Sequence, residues 1–435
     1  MKLFNRFTKD RYKYKNNISS FKFIDFMITD LDNSINYKVS EEAKNLFEIV
    51  RYIFKYNRYE PTNPYVFHKC VPSARNIHTS EPYIIFNGDI VRYNCKLDNF
   101  EYIKYDESMK NRCEIIMLAE LWRVMKFYGE FGMVLPLIDA GHILGQLKIE
   151  LEKNNYHCSY IQYAASSEED YYNINASSKS TLITFKVDLS SNFLYKDIEV
   201  NIDNNRRINN RRSINYDDEI NSYMNVKDFL NITSSFKHRK MICDKNKLRN
   251  ICTKNIRESA HNTVGICSVT DFIKEKNVKS IFDNIQQYIR HYIIDYYNYN
   301  IYIIYKNEEK ITKLLSLKNE KIKESILKDI NKRELLHDTK TMIIMDSMPM
   351  IIYISYNYDK EISERENIYN SHIGAGEINQ YLSIFVTNEG LFARPVRNFE
   401  DDNVKKLLQI ESDNEYLIYS LICGVNNTRN YIISL

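Results

Sequence analysis

The sequence predicts an α+β protein of two domains, and three observations predict it. The chain has 435 residues, and domains run roughly 100–200 residues each, so two units fit better than one. Segments with helical and with strand periodicity are mixed throughout. A polar, irregular stretch at 197–209, DIEVNIDNNRRIN, divides the chain near its middle. The order of elements recurs in outline on either side, although no internal sequence repeat is visible. The domains are therefore placed at 1–200 and 201–435.

In the first half, residues 41–57 (EEAKNLFEIVRYIFKYN) carry apolar residues at helical spacing, and Pro61 and Pro64 end the pattern. Residues 83–86 and 90–93 predict two strands around the Asn87-Gly88 turn, a strong hairpin signal. Residues 113–128 predict a helix. Residues 134–153 (VLPLIDAGHILGQLKIELEK) predict another with a long apolar face, and 181–188 (TLITFKVD) a strand.

In the second half, helices are expected at 226–236 and 279–297, with an alternating strand at 299–305. A Lys/Glu-rich helix is expected over about 308–333. Apolar strands follow at 341–346 and 350–356. A buried helix begins near His372, a loop covers 388–399, and a last strand lies at 416–423.

Composition excludes several function classes. Sixty basic residues stand against 57 acidic ones, a formal net charge of +3. That balance gives no bulk field for nucleic acid or a membrane surface. The eight cysteines form no Cys-x-x-Cys pair and no zinc-ligand spacing with His, so no metal site is expected. Scattered thiols of this kind suit a reducing, cytoplasmic setting. The N-terminus, MKLFNRFTKDRYKYK, has no apolar signal-peptide core. No apolar run approaches the ~18–20 residues of a membrane span.

Three segments carry chemistry. VPSARNIHTSEPY (71–83) stands directly before the first strand pair. A Pro-Ser-small-x-Asn loop there offers a fixed turn, a hydroxyl and backbone N–H groups to a flat heterocycle; a plain turn would use the same residues. Arg211, Arg212 and Ser213 open the second half, and two guanidiniums with a hydroxyl can make an anion site; a solvated basic linker would use the same residues. The third is the C-terminal stretch, with Glu389, Gly390 and the late Arg429. A glycine loop lets backbone approach a ring closely, and a late Arg could complete a phosphate clamp. His142, among Ile143, Leu144 and Leu147, reads as a packed histidine, and Trp122 as a core residue.

Together these segments resemble the nitroreductase superfamily, and within it the tandem-domain azoline dehydrogenases called SagB-type oxidases. The resemblance runs through Thr8-Lys9, Pro72–His78 with Glu81, Tyr83 and Tyr93, Lys126–Gly129 and Asp139–His142. It continues through Arg211–Ser213, Gly374–Glu377 with Gln380, Phe399–Asp402 and the final glycine loop with Arg429. It implies a mixed, mainly antiparallel sheet wrapped by helices in each domain. The two domains would form a pseudo-dimer within one chain. It also implies FMN between them. Pro72, Ser73, Ala74 and Asn76 would come from the first domain; Arg211, Arg212, Ser213, Glu389, Gly390 and Arg429 would come from the second. The second half has no intact Pro-Ser loop; the corresponding region is taken as 262–270. One composite site per chain is therefore expected.

The implied reaction oxidises azolines to thiazoles or oxazoles in a ribosomally made precursor peptide, beside a cyclodehydratase partner. Lys126 and Tyr128 stand where the family has a catalytic Lys-Tyr pair, but Phe127 is inserted between them. The arginine that usually follows is replaced by the Glu130-Phe131-Gly132 stretch. Two other functions fit the same sequence: an NAD(P)H-dependent reductase of this fold, and a flavin-free scaffold that binds peptide. Further homo-oligomerisation is left open.

Overall fold

The computed structural model describes residues 2–14, 35–41, 43–60, 66–119, 122–163, 180–188, 267–293, 295–318, 321–328, 330–339, 341, 343–425 and 433–434. The domain boundary at 200/201 and the helix expected at 226–236 lie outside the described residues.

The first half begins with α1 (Lys2–Phe7), β1 (Ile35–Asn36) and α2 (Lys44–Phe54). A small hairpin follows, β2 (Arg58–Tyr59) and β3 (Phe67–His68). The main strands are β4 (Ser80–Phe86), β5 (Asp89–Asn94), β6 (Asn99–Tyr105) and β7 (Cys113–Ala119). Then come α3 (Trp122–Tyr128), α4 (Leu135–Lys153), β8 (His157–Tyr163) and β9 (Ser180–Asp188). The strands form one sheet in the order β1-β6-β5-β4-β7-β9-β8.

The second half repeats this plan. It holds α5 (Glu275–Tyr292), β10 (Tyr299–Lys306), β11 (Thr312–Lys318), β12 (Lys321–Ile326) and β13 (Met350–Asn357). These are followed by α6 (Glu364–Asn388), β14 (Phe392–Val396), α7 (Asp401–Leu407) and β15 (Glu415–Gly424). Its sheet runs β12-β11-β10-β13-β15-β14. Strand for strand this is the order of the first sheet without β1, and every pairing in both is antiparallel. α4 and α6 occupy the same place in the two halves and pack against each other at the centre.

The packing of those two helices is reciprocal. A Cβ on Gly141 would collide with the carbonyl oxygen of Ile373, and one on Gly376 with that of Ile138. Gly141 therefore stands to α4 as Gly376 stands to α6. Only glycine permits two helix backbones so close. The residue after each crossing glycine is polar. His142 Nδ1 lies 2.9 Å from Gln380 Oε1, and Gln380 donates to Gln146 Oε1 at 2.8 Å. Glu377 accepts from Lys148 at 2.5 Å and from the Tyr381 hydroxyl at 2.9 Å. Burial pushes the Glu377 carboxyl up, and Lys148 pulls it back. Around this polar layer a single apolar core joins both halves, with Val50, Ile115 and Leu144 from one and Ile285, Ile352 and Ile378 from the other.

The ends of the described chain cross between halves. Arg11, fully buried, pairs with Asp401 and donates to Phe399 O at 2.8 Å. Arg397 donates to Phe7 O at 2.9 Å. β16 (Ile433–Ser434) pairs with β2.

Several sequence expectations need correction. Residues 113–119 form β7, not the start of a helix; every one is buried, and such an apolar run has no period to read. The helix expected at 308–333 is the β11–β12 hairpin. Lys and Glu favour helix locally, but pairing with β10 overrides that preference. Residues 345–347 form a 3-10 turn instead of the end of a strand. α6 begins at Glu364, ahead of His372, where Ser363 accepts from Glu366 N at 3.1 Å. The 388–399 loop contains β14.

Candidate functional site

The Pro-Ser loop lies between β3 and β4, against the first turns of α4. Ser73 Oγ donates to Asp139 Oδ2 at 2.6 Å, and Ala74 N donates to Asp139 Oδ1 at 3.3 Å. Ser73 Oγ also accepts from His78 N at 2.9 Å. His78 Nε2 lies 2.8 Å from Asn76 Oδ1, and Asn76 Nδ2 donates to Phe67 O. Arg75, Asn76 and His78 all have positive φ, at 50°, 57° and 51°. Three left-handed non-glycine residues in five are costly, and such backbone is held by the surrounding bonds.

Beside this loop is a small cleft lined by Phe54, Lys69, Val71, Pro72, Ser73, His78, Ser80, Asp139 and Ile143. The hydroxyls of Thr79 and Ser80 are buried and make no hydrogen bond with any described residue. Of the two, Ser80 lines the cleft, and its unspent hydroxyl fits a ligand carrying an acceptor oxygen.

The loop also reaches the Lys-Tyr segment. The Arg75 guanidinium lies 4.8 Å from the centre of the Phe127 ring and 5.7 Å from that of Tyr128. The inserted Phe127 is thus a contact of the loop. Lys126 is in α3, one residue before it; its side chain lies outside the described residues, as does that of Trp122.

Glu389 and Gly390 make no hydrogen bond or ion pair with the Pro-Ser loop among the described residues. They end α6: Glu389 N bonds back to Phe385 O, and Gly390 takes the left-handed φ of 76° common just past a helix. Glu389 Oε1 accepts from Ser280 Oγ of α5 at 2.6 Å. They lie about 20 Å along α6 from the Gly376 crossing, at 1.5 Å per residue. Arg211, Arg212, Ser213 and Arg429 lie outside the described residues.

The second half closes the equivalent position. The connection from helix to first strand is residues 55–79 in the first half but only 293–298 in the second. By this order the counterpart of the Pro-Ser loop is that short turn, instead of 262–270. Asp139 stands two residues before Gly141; Gly374 takes the same place before Gly376. A Cβ there would collide with the Tyr299 hydroxyl, which donates to Asn370 O at 2.5 Å. Where the first half has a loop, a carboxylate and a cleft, the second has a buried phenol on a glycine.

No protein-family model matches the chain, and no curated protein matches it. Solved structures do. A "putative nitroreductase" from Anabaena variabilis superposes with a TM-score of 0.66 at 14% identity, covering 95% of this chain and 98% of that one. The chain has the nitroreductase fold. Both halves of the nitroreductase pseudo-dimer are therefore present in one polypeptide. Partial overlaps are found with the E. coli microcin synthetase McbBCD complex with truncated pro-MccB17 bound (TM-score 0.32, 11% identity, 40% of this chain and 71% of that one). Another is with a "putative nitroreductase" in complex with FMN from Exiguobacterium sibiricum (TM-score 0.28, 12% identity, 41% and 88%). Among the described residues, no helix is long and apolar enough to cross a membrane. No group of His, Cys, Asp or Glu among them could hold a metal ion.

Proposed function

We propose that this chain is an FMN-dependent oxidoreductase with one composite flavin site, oxidising azolines to azoles in a ribosomally made peptide. The observation that carries the single-site reading is the asymmetry of the two halves. A loop-lined cleft stands beside Asp139, and Tyr299 fills the matching place at Gly374.

Pro72, Ser73, Ala74 and Asn76 would hold the flavin from the first half. Arg211, Arg212, Ser213 and Arg429 would hold it from the second, the guanidiniums serving its phosphate. Glu389 and Gly390, at the end of α6, would complete the second half's share. Bound there, FMN would supply the hydride acceptor. The Asp139 bonds fix the loop, and Phe54, Val71 and Ile143 give the cleft an apolar wall. Tyr128, drawn to the loop by Arg75, would supply the proton acceptor together with Lys126. The peptide would arrive from a cyclodehydratase partner, which makes the azoline.

The test is the visible spectrum of the purified protein with quantification of released FMN. One FMN per chain is expected. Ser73→Ala should weaken FMN binding roughly tenfold, while Tyr299→Ala should leave the stoichiometry at one. Two FMN per chain would overturn the single-site reading. Rapid NADPH consumption with no azoline oxidation would favour the reductase. A colourless protein that takes up no added FMN would favour the scaffold.

A further inference from the structure

Lys69 is the one lysine among the described residues lining the cleft, and its surroundings are unusual. It is only 4% exposed. Its ammonium lies 5.4 Å from the Tyr56 ring centre and 6.0 Å from that of Phe54. No carboxylate, carbonyl or hydroxyl among the described residues pairs with it. Two aromatic faces attract the ammonium, but they do not neutralise it.

The nearby polar groups do not fill the gap. Asp139 is the only carboxylate among the described residues lining the cleft, and its two oxygens already accept from Ser73 and Ala74. The Ser80 hydroxyl, 5% exposed, has no described partner. At its floor the cleft has room for about one water-sized group. A water there could satisfy Ser80, but it would leave the ammonium uncompensated. An oxygen carrying negative charge would satisfy both.

We propose that Lys69 and Ser80 form an oxyanion pocket beneath the Pro-Ser loop, taking one oxygen of a carboxylate or phosphate. The proposal rests on the flavin reading only in sharing its cleft. It adds an acidic group to what that cleft recognises. The oxyanion could come from the flavin's own phosphate or from a carboxylate on the substrate.

The test uses the full chain, as wild type, Lys69→Met, Lys69→Arg and Ser80→Ala. Acetate and inorganic phosphate are titrated into flavin-free protein and read as a saturable rise in melting temperature. FMN and riboflavin, which lacks the phosphate, are titrated separately by flavin fluorescence. Acetate is then titrated into the flavin-loaded protein and read in the flavin spectrum. The expected result is an anion affinity at least about tenfold weaker in Lys69→Met, retained in Lys69→Arg and several-fold weaker in Ser80→Ala. A loss of FMN but not riboflavin affinity in Lys69→Met assigns the pocket to the flavin phosphate. Unchanged flavin binding with weakened acetate binding assigns it to a substrate carboxylate. Equal affinities for every probe in wild type and variants would overturn the proposal. A wild type that binds acetate through Lys69 yet takes up no FMN would sink the flavin reading and leave the pocket standing.

Discussion

The two halves share one plan and differ where chemistry would sit. Their sheets run in the same strand order, and their central helices cross at matching glycines. Beside that crossing the first half spends 55–79 on a hairpin and a strained loop, whereas the second turns directly from α5 into β10. The lesson is that a fused pseudo-dimer is freed from symmetry. Each half can keep the packing surface that holds the pair together, while the loop-lined cleft among the described residues stands in the first.

The polar layer at the crossing shows the same divergence, and the largest expected effect lies there. His142 answers Gln380, but its counterpart Glu377 answers Lys148. Lys148 and Glu377 are 0% and 1% exposed. Lys148→Met should leave a buried carboxylate unpaired and cost about 3–5 kcal/mol in urea unfolding. Lys148→Met with Glu377→Leu should recover most of that loss. A double variant as unstable as the single one would show that the pair is not an isolated unit.

Gly141→Ala and Gly376→Ala probe what the halves still share. Each adds a methyl against a backbone carbonyl that cannot rotate away, so each should cost about 3 kcal/mol. The two losses should be similar because the contacts are reciprocal. Clearly unequal losses, measured by the same unfolding assay, would mean that one helix yields and that the crossing is less symmetric than the backbone suggests.

Some of this was legible in the sequence, for local reasons. Asn87 and Gly88 have φ of 49° and 91°, the geometry their dipeptide favours in a hairpin. α4 was legible from its length and Pro136 in the first turn. The Pro-Ser loop was legible because turn chemistry is local. Other features depend on distant partners. β11 and β12 are built from helix-favouring Lys, Glu and Leu. The matching of Gly141 and Gly376 is hidden because the residues that follow them, His142 and Glu377, differ. Lys69 reads as a solvent-facing lysine until Phe54 and Tyr56 close over it. Glu389-Gly390 reads as a loop in the sequence, and only the path of α6 shows that it ends a helix.

The smallest expected effect concerns how each half ties its outer helix to its sheet. In the first half Arg51 of α2 donates to both oxygens of Asp98, at 2.7 and 2.6 Å, and Tyr93 donates to the same carboxylate. In the second, Glu275 of α5 meets Lys313 of β11 at 3.1 Å. Both carboxyls are held below their ordinary range. The Arg51 hydrogen bond brings Asp98 to about 2, and the Lys313 bond lowers Glu275 first of its causes. A depressed carboxyl contributes stability above its unfolded pKa, near 4, and loses it as pH falls through the folded value. The Asp98 contribution should therefore be full above about pH 4 and fade toward pH 2. Both partners are more than a third exposed or close to it, so solvent screening limits it to under about 1 kcal/mol. Urea unfolding of wild type and Arg51→Met should differ by a constant amount from pH 7 to about pH 4, and the gap should close toward pH 2. It should also shrink in 1 M salt. A gap that persists unchanged at pH 2 would mean that Arg51 stabilises α2 by packing its stem, and that the ionic tie is not what the two halves have in common.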